Sequence, residues 1–312
     1  MMLTDTDPFA DDPDRLLTLI TDISAGELDR EEIVKRVLPE LLRISGRTLL
    51  RLRRSAPRFC ESEWMWLSGV RPEHLSRKDA NKFLCACILE IHAGKTDVWD
   101  NVAFFTGEIL SDPEYLWREI TVHTPEGWND LYNEYNLHPE FVVHTRLYQV
   151  ALLLVRYYQG DARQIWSGFE ENPAEVFKRL KVLGVPRSTA CLVIGALKDE
   201  GYLAGAYDIV GDVVDSRVIG RLALGESSGL SSYQARSLAR MIYPPDPWML
   251  DRPLYVLGMS ACAPGPRCRV CPAKGGCVYA VSLHLGARVG NSIFEEIFGQ
   301  KTVQKSLKRW IG

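Results

Sequence analysis

Residues 173–198 read PAEVFKRLKVLGVPRSTACLVIGALK, and their pattern predicts two short helices joined by a four-residue turn. Val176, Leu180 and Leu183 fall at helical spacing before the turn; Ala190, Val193 and Leu197 do so after it. The turn is Gly184-Val185-Pro186-Arg187, and Ser188 and Thr189 are expected to open the second helix. A helix start beside a glycine turn presents amides with no partner inside the helix, which suits a phosphate whatever base it carries. An ordinary structural hairpin shows the same pattern.

Outward from this segment the same three- and four-residue spacing recurs at 14–24, 31–44, 79–91, 97–110, 145–158, 188–198 and 216–224. Breaks such as Asp112-Pro113, His138-Pro139 and Asn172-Pro173 separate these stretches, and strand-like alternation is nearly absent. The chain is therefore read as all-α. Its 312 residues, 46% of them hydrophobic and 25% charged, with no apolar run near 18 residues, fit a globular protein rather than a membrane-spanning or disordered one. The acidic start (Asp5, Asp7, Asp11, Asp12, Asp14) does not resemble a secretory signal, so a cytoplasmic protein is expected.

The net charge of −3 argues against wholesale coating of nucleic acid, but it is unevenly placed. Residues 1–30 carry −6, which leaves +3 on the rest, and 31–60 hold eight basic residues against three glutamates. Arg47, Arg51, Arg53, Arg54 and Arg58 are five of these; they read equally as a phosphate-facing patch or a solvated helix face.

Eight cysteines in a chain without a secretory signal point to metal ligands or buried thiols rather than disulfides. Cys60, Cys85, Cys87 and Cys191 lie in apolar surroundings and read as inert. The other four form CAPGPRCRVCPAKGGC at 262–277, spaced C-x5-C-x2-C-x5-C. Cys262, Cys268, Cys271 and Cys277 suit either zinc or an iron–sulfur cluster, and spacing alone does not choose between them. Arg267, Arg269 and Lys274 make the loop cationic, so it could touch phosphate.

Between hairpin and cysteine loop, Val213 and Val214 lead into Asp215 and a further helix. Asp215 could cap that helix by accepting from the Arg217 or Val218 amides. A carboxylate held ionised by a helix terminus would also suit a cationic sugar transition state or the activation of water. Both readings stand on the residues alone.

Hairpin, aspartate and cysteine loop, taken in that order, resemble the helix-hairpin-helix DNA glycosylase superfamily, in its iron–sulfur branch of endonuclease III and the mismatch adenine glycosylases. Residues 183–190, LGVPRSTA, are similar to the family hairpin L-x-G-V-G-R-[KS]-T-A, and 214–218 to V-D-x-x-[VI]. The cysteine spacing is one residue shorter in its first gap than the family's C-x6-C-x2-C-x5-C. FLCACILEIHAGKTDVWD at 83–100 resembles the segment that supplies a gap-filling residue and a pocket wall.

The resemblance implies a two-lobed endonuclease III-like fold, organised as an N-terminal helical extension (1–76) that packs with the cluster lobe, a helical HhH-GPD domain (77–240) and a cluster loop with C-terminal helices (241–312). It implies a [4Fe-4S] cluster in place of zinc, a monomer, and double-stranded DNA with a flipped nucleotide as partner. Leu183, Gly184, Val185, Arg187, Ser188 and Thr189 would meet phosphate, with Arg267, Arg269 and Lys274 adding contacts from the loop. Asp215 would stabilise the sugar cation and orient water, and Glu90, His92, Trp99 and Tyr148 are pocket candidates. Ser188 stands where strand-cutting members carry a lysine, so the likeness is to monofunctional enzymes; a bifunctional lyase and a non-catalytic DNA-binding protein are the alternatives. Pro186 replaces a glycine and removes one amide, and the surplus residues 198–212 contain Asp208 and Asp212 as other candidate carboxylates.

Overall fold

The computed structural model describes residues 13–26, 28–55, 70–90, 114–134, 141–226 and 230–287. The first helices are α1 (Pro13–Ala25), α2 (Leu38–Ser55) and α3 (Arg77–Glu90). Arg30–Glu32 and one π-helical stretch, Ile33–Val37, lead into α2. Next come α4 (Leu116–Ile120), α5 (Pro125–Glu134), α6 (Phe141–Tyr158), α7 (Pro173–Val182) and α8 (Arg187–Asp199). The last are α9 (Val213–Leu224), α10 (Ser232–Ile242), α11 (Asp251–Met259) and α12 (Val278–Leu285). No strand occurs among the described residues, so the protein is all-α there. No described helix is long and apolar enough to cross a membrane.

The chain divides into two compact units, Arg58–Tyr207 and a second built from Met1–Pro57 with Asp208–Gly312. The sequence boundaries were expected at 76/77 and 240/241, whereas the structural ones fall at 57/58 and 207/208. The cause is non-local: α1 and α2 share a core with helices more than 150 residues later, which no short-range pattern displays.

In the unit 58–207, Phe83, Trp117, Leu154, Val176, Leu180 and Val193 are fully buried in one core. Asn81, also fully buried, gives its amide to the carbonyls of Glu114 and Gly160 and accepts from the Ala162 N–H, so its polar atoms are satisfied. Helix α7 starts with Asn172 capping the Glu175 amide and Pro173 in the first turn, where a missing N–H costs nothing.

In the other unit α9 is the central helix, packed against α2, α10, α11 and α12. Val218, Ile219, Leu222 and Ala223 on it are buried, as is the apolar side of α2 through Leu41, Ile44 and Leu49. Gly258 allows α11 to approach α9 closely, since a Cβ there would stand 2.1 Å from Val214 Cγ1. A capping box between Ser231 and Gln234 starts α10, and Gly225, in the left-handed region at φ 73°, ends α9.

Candidate functional site

The backbone turn ahead of α9 decides how the acidic residues are used. Asp212, not Asp215, is the N-cap: its carboxylate accepts the Asp215 N–H at 2.8 Å. The helix therefore begins at Val213, three residues before the predicted 216, and Asp215 lies in its first turn. This corrects the capping geometry expected from the Arg217 and Val218 amides. Asp215 instead turns back and accepts the Gly211 N–H on Oδ2 at 2.9 Å. Gly211 has φ 67°, and a Cβ there would meet the Ser232 carbonyl at 3.2 Å, so both conformation and space require glycine.

The preceding amide, that of Val210, goes to a different carboxylate, Asp251 Oδ1, at 2.7 Å. Two consecutive peptide N–H groups thus hold two buried aspartates, Asp215 at 2% exposure and Asp251 at 8%. Asp215 Oδ1 is buried and receives no hydrogen bond from a described residue. Burial raises the Asp215 carboxyl well above the ordinary range, the charges of Asp251 and Asp212 raise it further, and the Gly211 hydrogen bond opposes them without prevailing. The shift therefore runs opposite to that of a carboxylate held ionised by the helix terminus. Asp208 is ion-paired with Arg240, which with the capping duty of Asp212 leaves Asp215 as the buried carboxylate with an oxygen to spare.

Further along α9, Arg217 and Arg221 hold the cysteine loop by its backbone. Arg221, 5% exposed, donates to the carbonyls of Ala263 at 2.7 Å and Pro264 at 3.1 Å. Its Nη1 also lies 3.7 Å from Cys262 Sγ. Arg217 donates to the carbonyls of Cys262 at 3.0 Å and Gly258 at 3.3 Å. Sequence reading overlooked both arginines, although cations four residues apart within an apolar helix mark two adjacent positions on one face.

The four thiols lie near enough to act on one another electrostatically. Burial raises Cys268, Cys271 and Cys277, the last to about 12, and neighbouring thiols of the quartet add to each shift. Among the described residues no three His, Cys, Asp or Glu side chains are grouped as a single metal ion would need. Four soft sulfurs on one loop are donors that either zinc or an iron–sulfur cluster can use. Arg267, Arg269 and Lys274 are exposed on this loop, and Arg51 of α2 donates to the Pro272 carbonyl at 3.3 Å. Arg47, Arg51 and Arg53 are half-buried, Arg54 is exposed, and Arg58 lies outside the described residues.

The hairpin belongs to the other unit. Gly184, at φ 83°, donates its N–H to Lys181 O, and Val185 donates to Leu180 O, so both amides are used in closing α7. Leu183 and Val185 have fully buried side chains. The second helix opens at Arg187, one residue before the expected Ser188, with Pro186 as its N-cap. First-turn amides of Arg187, Ser188 and Thr189 have no acceptor inside the helix. Arg187 and Ser188 are exposed, Thr189 is buried, and the Arg187 guanidinium lies 5.3 Å from the centre of the Phe177 ring. Lys181 Nζ donates to Val185 O at 2.9 Å and Lys198 Nζ donates to Gly205 O.

Of the pocket candidates, Tyr148 is half-buried on α6 and Glu90 is the last residue of α3, both in the unit 58–207, whereas Asp215 is in the other. His92 and Trp99 lie outside the described residues. Comparison with known protein families, with curated proteins and with solved structures returned no match.

Proposed function

We propose that this chain is a monofunctional DNA glycosylase of the helix-hairpin-helix, endonuclease III-like kind. The observation that carries this reading is α9 itself: its first turn holds a buried aspartate with an unpartnered oxygen, and its next turns moor a cationic four-cysteine loop. Phosphate contacts would come from the first-turn amides of α8 and from Arg267, Arg269 and Lys274.

In the proposed reaction a flipped nucleotide loses its base as the N-glycosidic bond breaks, the bonding electrons leaving with the base. The Asp215 region opposes the positive charge that develops on the sugar, and water then adds to the sugar carbon while its proton passes to the carboxylate. Ser188 offers a hydroxyl and no amine, and the nearby Lys181 and Lys198 are each engaged with a carbonyl. These facts favour hydrolysis over Schiff-base chemistry. Cys262, Cys268, Cys271 and Cys277 would hold a [4Fe-4S] cluster, which when bound would neutralise the thiolates and fix the loop.

A non-catalytic DNA-binding protein is the second reading, favoured by the 2% exposure of Asp215. Single-turnover base release from a panel of damaged, mismatched and modified duplexes, with Asp215→Asn as control, separates the two. Release by wild type and a loss of at least about a hundredfold in the variant are expected, as for removal of one stabilising group. Tight binding without release from any duplex would establish the second reading instead.

A further inference from the structure

We infer that Asp251 and Asp215 hold one proton between them, so that Asp251 is a positioning residue for the aspartate assigned to base release. The inference rests on that assignment for its functional meaning but not for its chemistry. Consecutive amides, Val210 and Gly211, each point at one of these carboxylates, and the left-handed Gly211 is what lets the two N–H groups diverge to separate acceptors. Neither amide has a proton to spare for the remaining oxygen, Asp215 Oδ1, which is buried without a donor. A proton shared with Asp251 supplies that donor. Two charged carboxylates packed together away from water repel, and the pair titrates as one unit.

Other charged groups surround the pair. Asp212 on the turn is exposed and adds negative charge, while Asp208 is ion-paired with Arg240 of α10. Arg236, also on α10, donates to Val210 O at 3.4 Å and to Ser232 Oγ at 2.6 Å. Arg217 of α9 is turned to the carbonyls of Cys262 and Gly258. On α11, Arg252 is buried next in sequence to Asp251. On the other helices packed against α9, Arg43 of α2 pairs with Glu40, and His284 of α12 is exposed. A singly protonated pair presents one negative charge to a developing sugar cation instead of two, with the second proton position open to receive the proton of the attacking water.

The test uses the full-length wild type, Asp251→Asn and Asp215→Asn. Asn at 251 keeps an oxygen for the Val210 N–H and brings an amide that can donate to Asp215 Oδ1. A carboxyl raised in the folded state stabilises the protein below its unfolded value and loses that contribution as pH rises through the folded value. Equilibrium urea unfolding from pH 5 to 8.5 should therefore show wild type losing stability with rising pH, and either variant losing less. A variant that folds and keeps the wild-type dependence overturns the pair. If neither variant folds, the infrared spectrum of wild type at neutral pH decides: a protonated-carboxyl stretch is expected, and its absence overturns the pair.

Base release supplies the second readout. Asp251→Asn should shift the acid limb of its pH profile down by about one unit or more, the size of shift that a charged neighbour commonly causes. A structural role alone would lower the rate without moving that limb, which would overturn the positioning role. If wild type releases no base from any duplex while the unfolding result holds, the pair stands and the glycosylase assignment fails.

Discussion

Replacing Gly258 with alanine would place a Cβ 2.1 Å from Val214 Cγ1 and 3.0 Å from Val218 Cγ2, both on α9. Carbon atoms in favourable contact stand about 3.5–4.0 Å apart, so the first overlap is roughly 1.5 Å. Val214 cannot swing clear, because a β-branched side chain on a helix has one strongly preferred rotamer. Helix α11 must therefore slide from α9, at an overpacking cost of up to about 3 kcal/mol. Alanine regains about 1 kcal/mol of helix propensity over glycine. A net destabilisation of about 2 kcal/mol is expected for Gly258→Ala.

Urea unfolding followed by far-ultraviolet circular dichroism measures this loss. Adding Val214→Ala to the variant removes the nearer obstructing atom, so the double variant should be more stable than the sum of the single effects predicts, by about 1–2 kcal/mol, as for residues in contact. The reasoning fails if Gly258→Ala is as stable as wild type, or if the two changes add without coupling. Because Val214 adjoins Asp215 and Arg217 bonds to the Gly258 carbonyl, the same variant should also slow base release.

Further outcomes follow from other features. Gly184→Ala meets no atom within 4 Å, so its cost is conformational alone, about 1–2 kcal/mol from φ 83°, measurable by the same unfolding assay. Asp212→Ala removes the α9 cap and should cost about 1 kcal/mol, while Asp212→Asn, which keeps the acceptor, should cost only a few tenths. Arg221→Met leaves the Ala263 and Pro264 carbonyls without their guanidinium donor; purified protein should lose most of the absorbance near 400 nm expected of an iron–sulfur centre, and unchanged absorbance with equal iron content would show that the loop does not depend on Arg221. Binding to duplex DNA should weaken with salt, and replacement of Arg269 and Lys274 together should reduce the slope of log affinity against log salt by about 2; an unchanged slope would exclude these contacts.

Local chemistry made part of this molecule readable. Val176, Leu180, Leu183, Ala190, Val193 and Leu197 all reach the core because helical spacing is a property of neighbouring residues. The start of α9 was misplaced by three residues because Asp212 and Asp215 are both good capping residues within one turn, and only the backbone path selects Asp212. Asp251 escaped notice since it joins Asp215 across 36 positions, through amides of a turn that belongs to neither helix. The bond from Arg51 to the Pro272 carbonyl spans 221 positions, which no local charge pattern displays. The glycine of the hairpin was legible as a turn residue; that its amide closes α7 was not, because that depends on the α7 C-terminal carbonyls.

The unit carrying Asp215 is assembled from both ends of the chain, and this orders events during synthesis. Helices α1 and α2 emerge first, but the α9 to α12 segments against which they pack come after Arg58–Tyr207 has been made. At about 5–20 residues per second, the intervening stretch occupies roughly 8–30 seconds. The unit 58–207 is continuous and can close on itself during that interval, while Leu41, Ile44 and Leu49 wait for partners not yet translated. The aspartate pair and the cysteine loop thus take shape only after the unit 58–207 has been made, and a chain cut short before α9 would leave the apolar side of α2 uncovered.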